Sequence, residues 1–406
     1  MKTYITLAWR NLWRNKRRTL IASASVFFAV ILALVMRSEQ TGYYDYMIDT
    51  SIRMYTGYIQ VQGKDYWEKR SLEESMILND QQIDAIKKID GVEFSVKRFE
   101  TFSLLSYGQV TKVAQVIGID PESENKLTSL KKKLVKGQYL TNDSRGILLA
   151  KGLADLMKVD VGDSVLIYGQ GLYGVTAAEL IPVQGIVEFK LPAQNKSFSY
   201  LSIPFAQWIF SAPDRLTSVS IMIKDSKELD NIHAEVSALF DETYDVMTWK
   251  ELSPELVQSI QVDNAQGIIM LGILYVVIAF GIFGTIMMMT TERVKEFGIL
   301  ISIGMKKWKL YLVTSLETIF ISFIGVAAGV IVSLPLIIYL VNNPIPLTGD
   351  YAEAILSWGL EPILPFAIYP GMFIAQVWTV LAITLVSGLY PINFIRKLKP
   401  VEAMRG

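Results

Sequence analysis

Apolar residues in this chain are concentrated in four long runs separated by charged stretches. The runs cover residues 19–37, 264–291, 310–342 and 371–395. Glu317 is the one acidic residue inside them. A bilayer core about 30 Å thick needs roughly 20 helical residues, so each run predicts a transmembrane helix. The first run is short, but tilt or local thinning of the bilayer accommodates it. Because no small-x-small cleavage site follows it, we expect an uncleaved anchor.

The long segment between the first two spans, residues 38–263, alternates short apolar and polar runs with turn signals. This pattern predicts strands over 56–63, two strands around the Tyr107-Gly108 turn, and three strands within 161–189. Helical spacing predicts helices over Asp80–Ile89, Leu149–Met157 and Ser226–Phe240. The fold class is therefore an α-helical membrane protein with four transmembrane helices plus a large α+β extracytoplasmic, periplasmic domain between spans one and two.

The distribution of Lys and Arg predicts the orientation of the chain. Residues 1–18 hold six of them, residues 292–309 hold five, and the tail 396–406 holds four. The loop 343–370 holds three acidic residues and no basic one. Because basic loops stay on the cytoplasmic side, both termini and 292–309 are expected in the cytoplasm. Residues 38–263 and 343–370 are then expected outside the cytoplasm.

Composition argues against most kinds of active site. The chain has no cysteine and one histidine, His233, so thiolate chemistry and a multi-histidine zinc site are excluded. His233 is expected on the polar face of a helix, and a membrane-anchored enzyme has little support.

Gly169-Gln-Gly171-Leu-Tyr-Gly174 matches a dinucleotide motif, but β-branched alternation follows it rather than a helix, which favours a hairpin turn. No phosphate-binding P-loop motif occurs, so any ATP is hydrolysed by another chain. Nucleic acid is not expected as a partner.

The basic stretch 292–309 has the period of an amphipathic helix. Its apolar face holds Val294, Phe297, Gly298, Ile301 and Met305. Glu292 with Lys295, and Arg293 with Glu296, are expected to pair on the exposed side. Gly304 is suited to end the helix. Periodicity leaves two interpretations open: a solvated loop that only sets topology, or a docking helix for a cytoplasmic partner.

The first eighteen residues predict a second amphipathic helix. Tyr4, Leu7, Ala8 and Leu12 share one face. Aromatic and basic side chains fill the remainder and suit a helix lying in the lipid headgroups. The expected interfacial anchors are Trp9, Arg10, Trp13, Arg14, Arg17 and Arg18.

Glu317 lies about seven residues into the third span, roughly 10 Å by helical rise. An acidic side chain at that depth is costly and usually faces protein or water. We favour a structural partner, either a hydroxyl or a basic residue near the inner surface, over direct contact with cargo.

Three blocks of the chain resemble FtsX/MacB-type (type VII) ABC transporter permeases. The segment "TERVKEFGILISIGMKKWKLYLVTSLETIFISFIGVAAGV" resembles the family's cytoplasmic coupling helix and the glutamate-bearing span after it. "LAWRNLWRNKRRTL" resembles the family's opening, and "SGLYPINFIRKLKPVEAMRG" its ending, with Asn393 where a small residue is usual. The resemblance covers the whole chain. It implies an ATPase-coupling helix formed by Glu292, Arg293, Glu296, Phe297, Gly298, Leu300, Gly304 and Met305.

Within that family, "GYIQVQGKDYWEKRSLEES" and "GILLAKGLADLMKVDVGDSVLIY" are most similar to the LolC/LolE lipoprotein-releasing branch. The resemblance implies mechanotransmission, driven by a cytoplasmic ABC ATPase dimer that carries the ATP and Mg, while this chain binds no cofactor. It also implies a second permease, identical or sister, together with membrane lipid, lipoproteins and a periplasmic carrier. The alternatives are an exporter of peptides or small toxic compounds, and an FtsX-like regulator of a cell-wall hydrolase.

Overall fold

The computed structural model describes residues 2–14, 16–357 and 360–397, and it divides the chain into two compact units. The membrane unit comprises residues 1–46, 259–346 and 363–406, and the globular unit comprises residues 47–258 and 347–362. Of the predicted tail 396–406, only Arg396 and Lys397 lie within the described residues.

The helices and strands have the following bounds. The α-helices are α1 (Lys2–Arg14), α2 (Lys16–Ser51), α3 (Tyr66–Lys69), α4 (Asp80–Lys88), α5 (Pro121–Thr128), α6 (Lys151–Met157), α7 (Pro192–Ser197), α8 (Ile203–Ile209), α9 (Leu229–Ser237), α10 (Trp249–Leu252), α11 (Pro254–Glu292), α12 (Val294–Ser302), α13 (Lys307–Asn342), α14 (Asp350–Ser357), α15 (Pro370–Ser387) and α16 (Leu389–Lys397). The strands are β1 (Ile59–Gly63), β2 (Met76–Ile77), β3 (Val92–Tyr107), β4 (Val110–Ile119), β5 (Leu134–Gly137), β6 (Ile147–Ala150), β7 (Ser164–Gln170), β8 (Thr176–Val187), β9 (Phe198–Ser202), β10 (Arg215–Leu216), β11 (Ser218–Ile223), β12 (Tyr244–Thr248), β13 (Ile345–Pro346) and β14 (Ile363–Leu364).

Within the described residues, four helical segments are long and apolar enough to cross a membrane: α2, α11, α13 and the α15–α16 pair. Each predicted span lies inside one of them. Helices α2 and α11 are much longer than the predicted spans, at 36 and 39 residues. The fourth segment is divided at Gly388, which separates α15 from α16. The predicted loop 343–370 contains the short strands β13 and β14 and helix α14.

Helix α13 packs closely against α2 because two of its glycines leave room for the neighbouring backbone. A Cβ on Gly325 would lie 2.6 Å from Cβ of Val26, and a Cβ on Gly329 would lie 2.8 Å from Cβ of Val30. This is the small-xxx-small spacing that lets membrane helices approach each other. On another face of α13, Ser322 Oγ donates to Thr384 Oγ1 on α15 at 2.7 Å. Helix α13 therefore forms the centre of the membrane unit.

The globular unit is built on a mixed sheet with the strand order β12-β1-β11-β3-β4-β9-β6-β8-β5, and β7 pairs with both β3 and β8. The β4–β9 and β6–β8 pairs are parallel and the rest of these pairs are antiparallel. Helices cover an apolar core that includes Phe99, Leu105, Ile117, Leu153 and Phe210. The predicted four-helix membrane protein with an α+β domain is confirmed.

The structure corrects several local predictions in this unit. Residues 161–189 form two strands rather than three, since β8 continues through Pro182. Helix α6 begins at Lys151, because Leu149 and Ala150 belong to β6. The side chain of His233 is half-buried, and its Nε2 lies 3.0 Å from the carbonyl oxygen of Val246. The helix predicted over Ser226–Phe240 ends at Ser237, and Leu239 beyond it is exposed.

The glycine motif at the end of β7 forms a turn, as expected, but of its three glycines only Gly174 has a positive φ, of 77°, and the neighbouring Tyr173 has one of 55°. A Cβ on Gly169 would lie 2.6 Å from Ser103 Oγ, and one on Gly171 would lie 2.5 Å from the carbonyl oxygen of Phe210. These two glycines are therefore needed for close packing rather than for backbone conformation.

A buried ionic network attaches the turn after α2 to the sheet. Arg98 on β3 is fully buried and forms two parallel hydrogen bonds with Glu124 on α5, Nε to Oε2 and Nη2 to Oε1, both 2.8 Å long. Its guanidinium also lies 4.5 Å from the ring centre of Tyr55, which belongs to the π-helical turn Ile52–Thr56. The Tyr55 hydroxyl donates to the carboxylate of Glu100 and accepts from Gln115 Nε2 at 2.7 Å.

The burial of this network makes Glu100 a source of pH dependence. Burial raises the pKa of Glu100 above its ordinary value of 4.5, against the opposing influence of Arg98. A carboxyl group with a raised folded-state pKa contributes stability that is complete below the unfolded-state pKa. That contribution is lost as the pH rises through the folded-state pKa.

We predict that Glu100→Gln gains stability relative to wild type as the pH rises from 4.5, because the amide keeps an acceptor for Tyr55 and has no charge to bury. Chemical unfolding of the full-length protein at several pH values measures the difference. Glu93→Gln, at an exposed position of the same strand, is the control. Parallel pH profiles for wild type and Glu100→Gln would contradict the prediction.

A second prediction concerns the contact between α2 and α13. Gly329→Leu should destabilise the membrane unit by about 1–3 kcal/mol, because overpacking forces neighbouring side chains to move. The midpoint of thermal unfolding in detergent reports the effect. Gly272→Leu on α11 is the matched control, since a Cβ there meets no atom within 4 Å. Equal losses for both variants would refute close packing at Gly329.

Candidate functional site

The candidate site surrounds Glu317, where α1, α12 and α13 meet in the membrane unit. The Glu317 side chain is almost completely buried. Its Oε1 accepts a hydrogen bond from Asn11 Nδ2 at 2.7 Å, and its Oε2 accepts one from Arg293 Nη1 at 2.5 Å. The carboxylate therefore has a neutral donor from α1 and a cationic donor from the junction before α12. This is the structural partnership that we favoured from the sequence.

Arg293 reaches Glu317 because the chain turns at this residue. Helix α11 ends at Glu292 and α12 begins at Val294, so Arg293 occupies the junction between them. Arg293 is only 9% exposed, and its guanidinium carbon lies 5.5 Å from the ring centre of Phe297. Its Nε also lies 3.2 Å from Glu296 Oε2. The expected Arg293–Glu296 pair is present, and Glu296 is exposed as predicted, but Arg293 is buried rather than exposed.

A second group of ion pairs joins the amino-terminal region to α12. Arg14 Nη2 lies 2.8 Å from the carboxylate of Glu296, and Arg18 forms an ion pair with Glu292. In the described part of the chain, Glu292 therefore pairs with Arg18 rather than with Lys295. Partly exposed pairs of this kind contribute up to about 1 kcal/mol each. Arg14 and Arg18, which were expected to anchor the chain in lipid, therefore also contact residues 292–309.

The remaining predicted anchors lie on the surface of the amino-terminal helices. Arg10 and Arg17 are exposed. Trp9 and Trp13 are about half exposed, with ring centres 6.0 Å apart, and Trp9 also meets Phe320 of α13 edge-on at 5.7 Å. Ala8 and Leu12 are buried as expected, whereas Leu7 on the predicted apolar face is exposed. Their role at the lipid surface stays a prediction.

Helix α12 is held against the membrane unit by the apolar face that the sequence predicted. Phe297 and Gly298 are buried, and Phe297 packs with Leu310 and Ile395. Leu300, Ile301 and Met305 are partly buried against the same cluster. Gly304, with φ of 102°, closes the helix: its N–H donates to Ile301, and the N–H of Met305 donates to Leu300, both at 3.0 Å.

Two exposed apolar side chains lie opposite this face, Ile299 on α12 and Ile303 directly after its last residue. Ile299 is 49% exposed and Ile303 is 78% exposed. They lie four residues apart, so they are neighbours on a helical surface. Neither is among the coupling residues predicted from the sequence, which lie mainly on the covered face or in the ion pairs. The available signal was an apolar i,i+4 pair on the polar side of an amphipathic helix.

The described residues include no group of three or more histidine, aspartate or glutamate side chains that could hold a metal ion. The contacts of this site are hydrogen bonds, ion pairs and apolar packing. It can fix α12 to α1 and α13 while leaving one face of α12 available.

We predict that Glu317→Leu destabilises the full-length protein by about 3–5 kcal/mol, because Arg293 keeps a buried charge without its partner. Glu317→Gln should cost less, since the amide oxygen still accepts a hydrogen bond. Adding Arg293→Met to Glu317→Leu should recover much of the loss. Thermal unfolding in detergent measures each variant, and Glu296→Gln, which changes an exposed partner, is the control. Strictly additive losses in the double variant would disprove the coupling.

Two family models match successive parts of the chain. The family model of the MacB-like periplasmic core domain matches residues 19–239, which is more than half of the chain. The FtsX-like permease C-terminal model matches residues 268–400.

Individual relatives agree with these matches. The chain is 23% identical to the lipoprotein-releasing system transmembrane protein LolC of Xylella fastidiosa over 314 residues, 74% of this chain and 75% of LolC. It is 20% identical to an ABC transporter permease of Methanocaldococcus jannaschii over 413 residues, 99% of this chain and 97% of the relative. The solved extracellular domain of YknZ from Gram-positive bacteria is 18% identical, covering 48% of this chain and 100% of that domain, with a TM-score of 0.36. The chain belongs to the type VII, FtsX/MacB-type family of ABC transporter permeases.

Proposed function

We propose that this chain is the permease subunit of an ABC transporter that releases lipoproteins from the bacterial inner membrane. The observation that carries the proposal is the two-sided character of α12, which is fastened to its own chain through Phe297 and Arg293 and presents Ile299 and Ile303 outward. The distribution of Lys and Arg supports a cytoplasmic position for this helix and for both termini. Residues 38–263 would then lie in the periplasm.

The outward face of α12 would dock on a separate cytoplasmic ATPase dimer. That partner would bind ATP and Mg, and this chain would bind neither. Ile299 and Ile303 would fill an apolar groove on the ATPase, with the exposed Lys295 and Lys306 at the rim. Apolar anchors surrounded by polar residues are the usual composition of a protein–protein contact.

Movement of α12 would reach the spans through the contacts around Glu317. The Arg293–Glu317 pair would move α13, and the ion pairs of Arg14 and Arg18 would move α1 and α2. In the globular unit, the turn that follows α2 carries Tyr55 into the network of Arg98 and Glu100. A displacement of that turn would therefore be passed to β3.

The relatives named as lipoprotein-releasing proteins support the choice of cargo. Extracting an acyl chain from a bilayer costs about 0.8 kcal/mol per CH₂, so a multiply acylated protein needs ATP-driven work. The cargo would enter laterally between the spans of two permeases, identical or sister chains. A periplasmic carrier would receive it.

The test is affinity purification of the full-length protein from native membranes in mild detergent, followed by mass spectrometry. We expect an ABC ATPase and acylated lipoproteins, and a second permease in the sample would identify the pairing. An ATPase with an outer-membrane channel and no lipoproteins would replace release by export. An ATPase with a cell-wall hydrolase would replace transport by regulation.

The same purification tests the docking face. Ile299→Asp and Ile303→Asp should each reduce the recovered ATPase about tenfold or more, since truncating or charging a central apolar anchor costs roughly 2 kcal/mol. Ile5→Asp is the matched control, at an isoleucine of α1 that is 42% exposed. Exposed positions are preferable to Gly298, whose burial would make a substitution disturb the packing of α12. Undiminished ATPase in both variants would refute docking through this face.

A further inference from the structure

The globular unit contains a cavity of about 600 Å³ at the edge of its sheet. It lies between the start of β5 and the segment that follows β8, which are joined where the N–H of Glu188 donates to the carbonyl oxygen of Lys133 at 2.9 Å. Its volume is within the range of small-molecule sites, about 300–1,000 Å³.

The lining of this cavity combines cations with apolar surface. Lys132, Lys133 and Lys190 line it together with one acidic residue, Glu188. Glu188 is already paired, because its Oε1 lies 2.7 Å from Lys151 Nζ. The apolar part of the lining is formed by Leu134, Val135, Phe189 and Leu191.

Phe189 provides a rigid apolar wall. It is almost completely buried, and its ring stacks on Tyr200 at 6.0 Å between centres and meets Phe198 edge-on at 5.8 Å. Lys133 Nζ lies 5.0 Å from the centre of the Phe189 ring. The ammonium group and the aromatic wall therefore face the same space.

Lys133 is held in this position without a carboxylate contact. Among the described residues it forms no ion pair within 4.0 Å, while Lys190 is paired with Glu361 at 3.0 Å. Burial lowers the pKa of Lys133, and Lys190 adds to that effect while Glu124 opposes it. A half-buried ammonium group that has lost water without gaining a counter-ion is favourably placed to receive an anion.

We infer that this cavity binds an anionic amphiphile, a lipid with a phosphate-containing headgroup, with the anion at Lys133 and its hydrocarbon part against Phe189, Leu134 and Val135. A free inorganic anion would satisfy Lys133 but would leave the apolar wall in contact with water. A neutral lipid would satisfy the wall but leave Lys133 without a counter-ion. Only a ligand that is charged at one end and apolar at the other contacts both the lysine side chains and the apolar residues of the lining.

The experiment is lysine footprinting of the full-length protein in detergent. The protein is acetylated with and without dihexanoyl phosphatidylglycerol, and the rate at each lysine is read by peptide mass spectrometry. Lys133 should react more slowly when the lipid is present, whereas Lys131 should not change. Lys131 is the internal control because it is exposed and next to the cavity residues in sequence but does not line the cavity.

Two other probes separate the sources of the anion. Dihexanoyl phosphatidylcholine should protect Lys133 much less than phosphatidylglycerol, and inorganic phosphate at the same concentration should protect it weakly. Equal protection by the two lipids would overturn the requirement for net negative charge. Equal protection by inorganic phosphate would assign the cavity to a small anion and overturn the lipid. Equal protection of Lys131 and Lys133 would mean surface association and would overturn the cavity.

A variant pair gives an independent measurement. Lys133→Gln should weaken phosphatidylglycerol binding about tenfold, as expected for loss of one charge-assisted hydrogen bond, and Lys133→Arg should retain most of it. Calorimetric titration measures both variants, with Lys131→Gln as the control. Unchanged binding by a folded Lys133→Gln variant would overturn the inference. Because the footprint uses the wild-type chain, the inference stays testable if that variant does not fold.

Discussion

The arrangement of the membrane unit depends on the buried ion pair between Arg293 and Glu317. A carboxylate removed from water needs donors on both oxygens, and here Asn11 and Arg293 supply them. Because these three residues lie on α1, at the junction before α12 and on α13, satisfying one carboxylate determines how three helices meet. The glycines of α13 then allow α2 to approach on another face of the same helix. The hydrogen bonds to the buried carboxylate determine where the helices meet, and close packing fills the space around that point.

The globular unit uses the same device at the turn after α2. Arg98 is fully buried, and its partners are Glu124 from α5 and Tyr55 from the π-helical turn. A buried ion pair gains little net stability, because desolvation of the two charges offsets their attraction. An apolar replacement of similar volume could fill the same space. The charged groups add a requirement for defined geometry. The N–H groups of Arg98 have their acceptors only when α5 and the turn with Tyr55 are both in place. In both units, therefore, a buried arginine joins elements that are distant in the sequence.

The features that the sequence predicts well are those encoded by local pattern. The four spans follow from uninterrupted apolar runs, the Tyr107-Gly108 hairpin from alternation around a glycine, and the covered face of α12 from its helical period. The pairing of Asn11 with Glu317, 306 residues apart, has no local signature. Periodicity also cannot tell whether an apolar face is covered by its own chain, as at Phe297, or available to a partner, as at Ile299. The third strand predicted within 161–189 is absent, because β8 runs through Pro182. Pro182 pairs with Ser164 at the last position of the β7–β8 ladder, and β6 pairs with β8 from Val183 onward. A proline costs little where a strand exchanges one neighbour for another.

The relative strength of the contacts around α12 indicates how it would transmit movement. The Arg14–Glu296 and Arg18–Glu292 pairs are partly exposed, so each contributes up to about 1 kcal/mol and weakens in salt. Breaking the Arg293–Glu317 pair leaves buried charges and costs about 3–5 kcal/mol. A displacement of α12 would therefore break the exposed pairs first while the buried pair held. Helix α13 would follow α12 as one body, and α1 would follow α13 through the hydrogen bond that Asn11 donates to Glu317. The strongest contact of α12 thus leads into the centre of the membrane unit.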